Sequence, residues 1–179
     1  CCSSFTTCPE AGSAGRSNAR KQQKMQKKPF EEISMYEYFK GLVIREGTEG
    51  IKGAKLRTLY EAVGWCSSML PLWQNEKFEI AMQNSAWAFT VWDQDELVGM
   101  VRVVSDKVMV ASIQDLIILE KYRHIGLGKK LVEKCIAKLP CGNWSAQTTS
   151  ENYAFYKKCG FSMPAEANAT MEYNGYRIS

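Results

Sequence analysis

The sequence has little with which to bind a metal. It contains one histidine, His124, in 179 residues, and its seven cysteines include no Cys-x-x-Cys pair. A tetrahedral zinc site with paired ligand spacing is unsupported, so no metal is expected. With a single imidazole, a Ser-His-Asp or Cys-His mechanism has one possible base, and that residue stands in a glycine-containing loop with a different reading. No apolar run approaches the roughly 18 residues of a membrane span. The apolar core of a secretory signal is missing as well. Cysteine is too sparse for a disulfide scaffold, and the pattern suits a reducing compartment. A cytoplasmic location is the expectation.

Acidic residues are scarce at the start of the chain. Residues 1–30 hold six basic side chains against Glu10 alone, a balance of +5. The whole chain carries +4, so residues 31–179 sum to −1. A near-neutral body demands no polyanionic partner, and nucleic acid is not an expected one. A nucleic-acid-binding reading rests on the tail alone. Residues 1–29 are rich in Ser, Gly, Ala, Gln, Lys and Arg. They offer too little apolar surface to offset ordering, so they are expected to be disordered. Appended sequence, a functional basic arm and part of an organellar transit peptide all fit them, and the last would place the protein in a plastid or similar organelle.

From residue 30 the pattern is that of one globular domain, 30–179. Met35 to Ile44 fits either a short helix or an opening strand. Leu56, Leu59, Tyr60 and Val63 fall at helical spacing before Gly64, and Phe78 to Met82 suggests a second helix. Ala86–Trp92 and Leu97–Val104 read as a hairpin about Asp93-Gln94-Asp95. Val108–Leu119 is apolar enough for a central strand buried on both faces. Leu131, Val132, Cys135, Ile136 and Leu139 form a helical stripe, ended by Pro140 and Gly142, with Cys135 as a buried free thiol. Trp144–Thr148 reads as a strand. Thr148-Thr149-Ser150-Glu151 reads as a capping box for a last helix that stops at Gly160. Thr170–Tyr173 suggests a closing strand. The order gives an α/β (α+β) fold, helices flanking a mixed, mostly antiparallel sheet.

Between the buried strand and the helix stands Arg123-His124-Ile125-Gly126-Leu127-Gly128-Lys129. Two glycines one residue apart allow close backbone approach, and the helix start supplies free N–H groups and a positive dipole end. The loop is suited to a phosphate or diphosphate. It is not a Walker loop, because Lys130 follows Gly128-Lys129. Nor is it a dinucleotide fingerprint, because Leu131 replaces the third glycine.

Arg123, Gly126 and Gly128 match Arg/Gln-x-x-Gly-x-Gly/Ala. Phe155, Tyr156, Gly160 and Phe161 match Phe/Leu-Tyr-x-x-x-Gly-Phe. Both signatures, in this order, resemble the GNAT superfamily of acyl-CoA-dependent N-acyltransferases over roughly residues 40–173. Leu59-Tyr60 with Val63-Gly64-Trp65, Leu97-Val98-Gly99-Met100 and Ile113-Gln114-Asp115 are similar to a small branch of bacterial acetyltransferases and plastid enzymes like serotonin N-acetyltransferase. The resemblance implies acetyl-CoA as cosubstrate and an amine acceptor, with a homodimer common in such families. It implies that the backbone of Leu116, Ile117 and Ile118 pairs with the pantetheine arm, and that Arg123, His124, Ile125, Gly126, Leu127, Gly128 and Lys129 hold the diphosphate. Thr149 or Asn152 stands where the family carries a cofactor-contacting Asn. Asp115 matches the general base of the branch, and Tyr156 the proton donor to the departing thiolate. Asp115 as a backbone-bonded strand-end carboxylate, Tyr156 as a core aromatic, and a non-catalytic acyl-CoA-binding module are the alternatives.

Overall fold

The segment that fits helix and strand equally well is a hairpin. Strands β1 (Tyr36–Phe39) and β2 (Leu42–Glu46) pair antiparallel across Lys40-Gly41. Both turn residues have positive φ, 50° and 84°, as a two-residue turn matched to strand twist requires. This computed structural model describes residues 36–163, which fall within one unit, Ser34–Ser179. The basic segment and the strand expected near Thr170 lie outside the described residues.

Helices α1 (Gly53–Ala62) and α2 (Asn75–Gln83) follow, then strands β3 (Trp87–Asp93), β4 (Glu96–Ser105) and β5 (Val110–Ile118). Helix α3 (Leu127–Ile136), strand β6 (Asn143–Ala146) and helix α4 (Tyr153–Lys158) complete the order. The six strands form one sheet in sequence order. Every pairing is antiparallel except β5 with β6. This is the mixed, helix-flanked sheet that the sequence pattern implies.

The core lies on both faces of the sheet. Leu42, Ile44, Phe89, Val91, Val101, Val103 and Ile113 pack with Leu127, Leu131, Val132 and Cys135 of α3 on one face. Ala88, Trp92, Met100 and Ile117 pack with Leu56, Leu59 and Met82 of α1 and α2 on the other. Each fully buried large side chain contributes roughly 1.5–3 kcal/mol of transfer free energy, so these two clusters hold the helices to the sheet.

The strands buried on both faces are β3 and β4, not β5. Val98, Met100, Val101 and Val103 are all inaccessible, whereas β5 alternates between buried and partly exposed residues. The apolar run from Val108 misled because Val108, Met109 and Val110 sit at an exposed hairpin tip, and because β5 has only the short strand β6 on its far side. The expected capping box is also absent. Thr149 stands at the cap position, but its side chain makes no cap bond. The chain enters α4 through a 3-10 turn, Ser150–Asn152, and Asn152 Nδ2 donates to Thr149 Oγ1 at 3.3 Å.

Two irregularities position the chemistry. The pairing of β3 with β4 shifts so that Val98 is the extra residue. The pairing of β4 with β5 runs Met100 to Ile117 and then Arg102 to Gln114, which leaves one extra residue in β5 at Asp115-Leu116. A bulge of this kind reverses the alternation of side chains. Ala111 and Ile113 face α3. Without the bulge Asp115 would do so too, inside an apolar core. With it, Ile117 joins the α1 cluster while Leu116 and Ile118 pack against the α3 cluster.

Candidate active site

The pairing of β5 with β6 ends at Ile113 and Ala146. From Gln114 to Ile118, β5 has no strand partner on that side among the described residues. The bulge and this interruption coincide, so the second half of β5 borders an opening in the sheet. The glycine loop begins immediately beyond it.

That loop is held in place from three directions. Tyr122, at the end of a 3-10 turn Glu120–Tyr122, donates through its hydroxyl to Asp93 at 2.7 Å. Arg123 Nε donates to the Ile118 carbonyl at 2.9 Å. Lys40, from the β1–β2 turn, donates to the Ile125 carbonyl at 2.9 Å. Two loop residues are left-handed, His124 at φ 62° and Gly126 at φ 88°. His124 thus serves the turn through its backbone conformation.

Gly126 and Gly128 are glycine for different reasons. A Cβ on Gly128 would lie 3.2 Å from the Phe155 ring and 3.4 Å from Ile118, so that glycine lets α4 close upon α3. A Cβ on Gly126 would meet only Phe39, at 3.9 Å. The close approach expected of both glycines is therefore open at Gly126, while at Gly128 the protein's own ring takes the place. Lys130 N–H bonds the Gly126 carbonyl at 3.1 Å. The N–H groups of Leu127, Gly128 and Lys129 have no backbone acceptor among the described residues, as the first turn of a helix dictates. Such a start can hold an anion. The Lys129 ammonium is more than half exposed, 3.7 Å from Glu133. Lys130 is directed elsewhere: with Lys134 it pairs with Glu37 of β1, each at 2.7 Å.

Asp115 and Tyr156 stand on opposite faces. The Asp115 carboxylate, turned by the bulge towards α1, forms an ion pair and hydrogen bond with Arg102 of β4. The Tyr60 hydroxyl of α1 reaches both. Burial, and then the Asp115 charge, hold the Tyr60 hydroxyl far above its ordinary titration range. Tyr156 belongs to the α3 side, with ring centroids 5.0 Å from Phe155 and 5.4 Å from Phe161. Burial, with smaller contributions from Cys159 and Cys135, pushes its phenol up to about 12. Its proton is retained at neutral pH, as a donor requires. Burial also raises the thiols of Cys66, Cys135 and Cys159, which makes them poor nucleophiles.

Tyr60, Arg102 and Lys40 are absent from the site residues expected from sequence. A charged residue inside the apolar run Met100-Val101-Arg102-Val103 was the available signal for Arg102. Lys40-Gly41 marks a turn but says nothing of what the turn touches. Among the described residues no cluster of His, Cys, Asp and Glu could hold a metal, and no helix is long and apolar enough to cross a membrane.

The family model described as "Acetyltransferase (GNAT) family" matches residues 54–161. The chain belongs to the GNAT acetyltransferase family. The chain is 31% identical over 114 residues to an uncharacterized N-acetyltransferase, ycf52, of Pyropia yezoensis, covering 60% of this chain and 63% of that protein. It is 37% identical over 76 residues to the chloroplastic GCN5-related N-acetyltransferase 2 of Arabidopsis thaliana, covering 41% and 30%. The chain thus spans less than two thirds of either relative. Among solved structures, a GNAT acetyltransferase of Streptococcus pneumoniae superimposes with a TM-score of 0.63 at 27% identity, over 76% of this chain and 99% of that one. GNAT enzymes as a family use acetyl-CoA as cosubstrate, and the open Gly126 turn beside free N–H groups fits its diphosphate.

Proposed function

We propose that the protein is an N-acetyltransferase that moves the acetyl group of acetyl-CoA directly to a primary amine within a ternary complex. The observation that carries this reading is the interrupted margin of β5, with a glycine turn and Tyr156 on one side and Asp115 on the other. In this reading Arg123 and the backbone from His124 to Lys129 hold the diphosphate, with Thr149 and Asn152 nearby. The backbone of Leu116, Ile117 and Ile118, which has no strand partner on the β6 side among the described residues, takes the pantetheine arm as an added strand. A strand N–H near Ile117 polarises the thioester carbonyl as its oxygen gains charge.

The side chains divide the protons. An alkylammonium has a pKa of roughly 10, so the acceptor must first give one up. Asp115, oriented by Arg102, accepts that proton directly or through water. The amine nitrogen bonds to the carbonyl carbon and sheds its second proton to solvent, the carbon–sulfur bond breaks, and the Tyr156 hydroxyl donates its proton to the departing thiolate. Solvent then restores the phenol. No covalent enzyme intermediate is required, in keeping with the raised thiols.

The decisive measurement is thiol release from acetyl-CoA with a panel of small amines, polyamines and a lysine peptide, set against acetyl-CoA binding by calorimetry. Amine-dependent release is the expected result. Binding without release for every acceptor class would instead identify a non-catalytic acyl-CoA-binding module. For location, the chloroplastic relatives favour the organellar alternative over the cytoplasmic one.

A further inference from the structure

Asp115 sits on a bulge, where the strand ladder does not fix the direction of its side chain. Arg102 holds it from within the sheet. A single ion pair does not by itself fix the direction of a carboxylate. A second hold from outside the sheet would remove that freedom, and one is present. Helix α1 lays Leu56 and Leu59 into the core, and Tyr60, one helical turn after Leu56, extends over β5. Its ring is clasped by Phe78 at 5.0 Å and by Trp65 at 6.1 Å. Its hydroxyl lies within reach of the Asp115 carboxylate and the Arg102 guanidinium.

The clasp is built into the end of α1. Gly64 N–H bonds the Glu61 carbonyl at 3.0 Å and Trp65 N–H bonds the Tyr60 carbonyl at 2.9 Å, with Gly64 at φ 74°. This is a Schellman ending, in which the residue after glycine packs on the residue whose carbonyl it caps. Tyr60 is therefore fixed at its backbone by Trp65 N–H and at its ring by the Trp65 indole.

We propose that Tyr60 is a positioning residue for acetyl transfer: clamped by the α1 ending, its hydroxyl joins Arg102 in aiming the Asp115 carboxylate at the opening beside β5. The inference rests on the acetyltransferase reading above. It adds a residue that acts through Asp115 and touches neither cosubstrate nor acceptor.

The test uses Tyr60→Phe, Asp115→Asn and the double variant in the full chain. Acceptors are phenethylamine, spermidine and an N-acetylated lysine peptide, and the one the wild type turns over fastest is used. Tyr60→Phe keeps the ring and the helix ending. It is expected to lower kcat about tenfold through misorientation, leaving KM for acetyl-CoA and the melting temperature unchanged. In the Asp115→Asn background the same change should cost nothing further, because the group it orients is gone. A merely structural tyrosine would cost the same in both backgrounds, and that additivity would overturn the proposal. So would an unaltered kcat in Tyr60→Phe, which with a slow Asp115→Asn would remove Tyr60 alone. An active Asp115→Asn would remove Asp115 as the base, and this inference with it, while acetyl transfer itself stands; a wild type that turns over no amine would remove the parent reading as well.

Discussion

The ends of α1 and α4 are built alike and lie on opposite faces of the sheet. Leu59-Tyr60-Glu61-Ala62-Val63-Gly64-Trp65 closes one, and Phe155-Tyr156-Lys157-Lys158-Cys159-Gly160-Phe161 closes the other. In each, the glycine is left-handed, at φ 74° and 92°. In each, the aromatic N–H after it caps the tyrosine carbonyl, Trp65 to Tyr60 at 2.9 Å and Phe161 to Tyr156 at 3.0 Å. Each tyrosine is thereby locked in backbone and ring. What differs is what each hydroxyl meets. Tyr60 meets a charged pair, Asp115 and Arg102. Tyr156 meets apolar residues and thiols, and no hydrogen-bond partner among the described residues. The same local device thus presents one phenol that orients a carboxylate and another whose proton has no competing acceptor within the described protein. The comparison teaches that a helix ending supplies rigidity, and the opposing face supplies the role.

Three changes test that division of labour. The largest effect is expected at the glycine loop on the Tyr156 side. Gly126→Val places a β-branched side chain at φ 88°, where such residues are strained, and fills space left open beside the turn among the described residues. Acetyl-CoA binding should be lost in calorimetry while the fold persists. Normal binding would mean that the diphosphate is held elsewhere, and the contrast between the two faces would have to be redrawn.

Next in size is Tyr156→Phe. Turnover should fall by about 10–100-fold, within the range of general acid catalysis, with acetyl-CoA affinity almost unchanged. The sign of its pH dependence follows from burial. A phenol raised from 10.0 to about 12 keeps its proton until the solution is strongly alkaline. The wild-type rate should therefore show no decline caused by Tyr156 below about pH 10, and the variant's defect should be constant across neutral pH. Equal turnover of wild type and variant at every pH would leave Tyr156 as a packing residue only.

The smallest effect belongs to Glu37, which ties β1 to α3 behind the loop. Hydrogen bonds from Lys130 and then Lys134 hold its carboxyl below the ordinary 4.5. A lowered carboxylate stabilises the fold above its unfolded value and ceases to do so as pH falls through the folded one. Its side chain is 36% exposed, so solvent screening keeps the contribution near 0.5 kcal/mol. Glu37→Gln should lower stability by about that much at neutral pH in denaturant unfolding, and the gap should close on acidification. A gap that persists in acid would assign the effect to packing.

Much of the Tyr156 side was legible in the sequence because its determinants are backbone ones. Gly126 and Gly160 announce conformations that few other residues adopt, Gly128 announces a close approach, and the stripe of α3 announces its buried face. The same signature, an aromatic or leucine, tyrosine, three residues, glycine and an aromatic, occurs also at residues 59–65. The α1 ending was therefore visible in outline, although nothing local says what Tyr60 touches. The capping box at Thr148 failed because side-chain capping competes with a 3-10 entry, and residue types alone do not decide between them.

The sequence by itself determined the helices, their endings and a turn suited to a phosphate, since each follows from glycine, periodicity and hydrogen bonding within a few neighbouring residues. Only the tertiary structure decided the face on which Asp115 lies, its pairing with Arg102 and Tyr60, and the opening beside β5. These depend on one extra residue in a strand register and on where a neighbouring strand stops. Both are set by cross-strand pairing between distant segments, and a one-residue shift there reverses every side chain that follows.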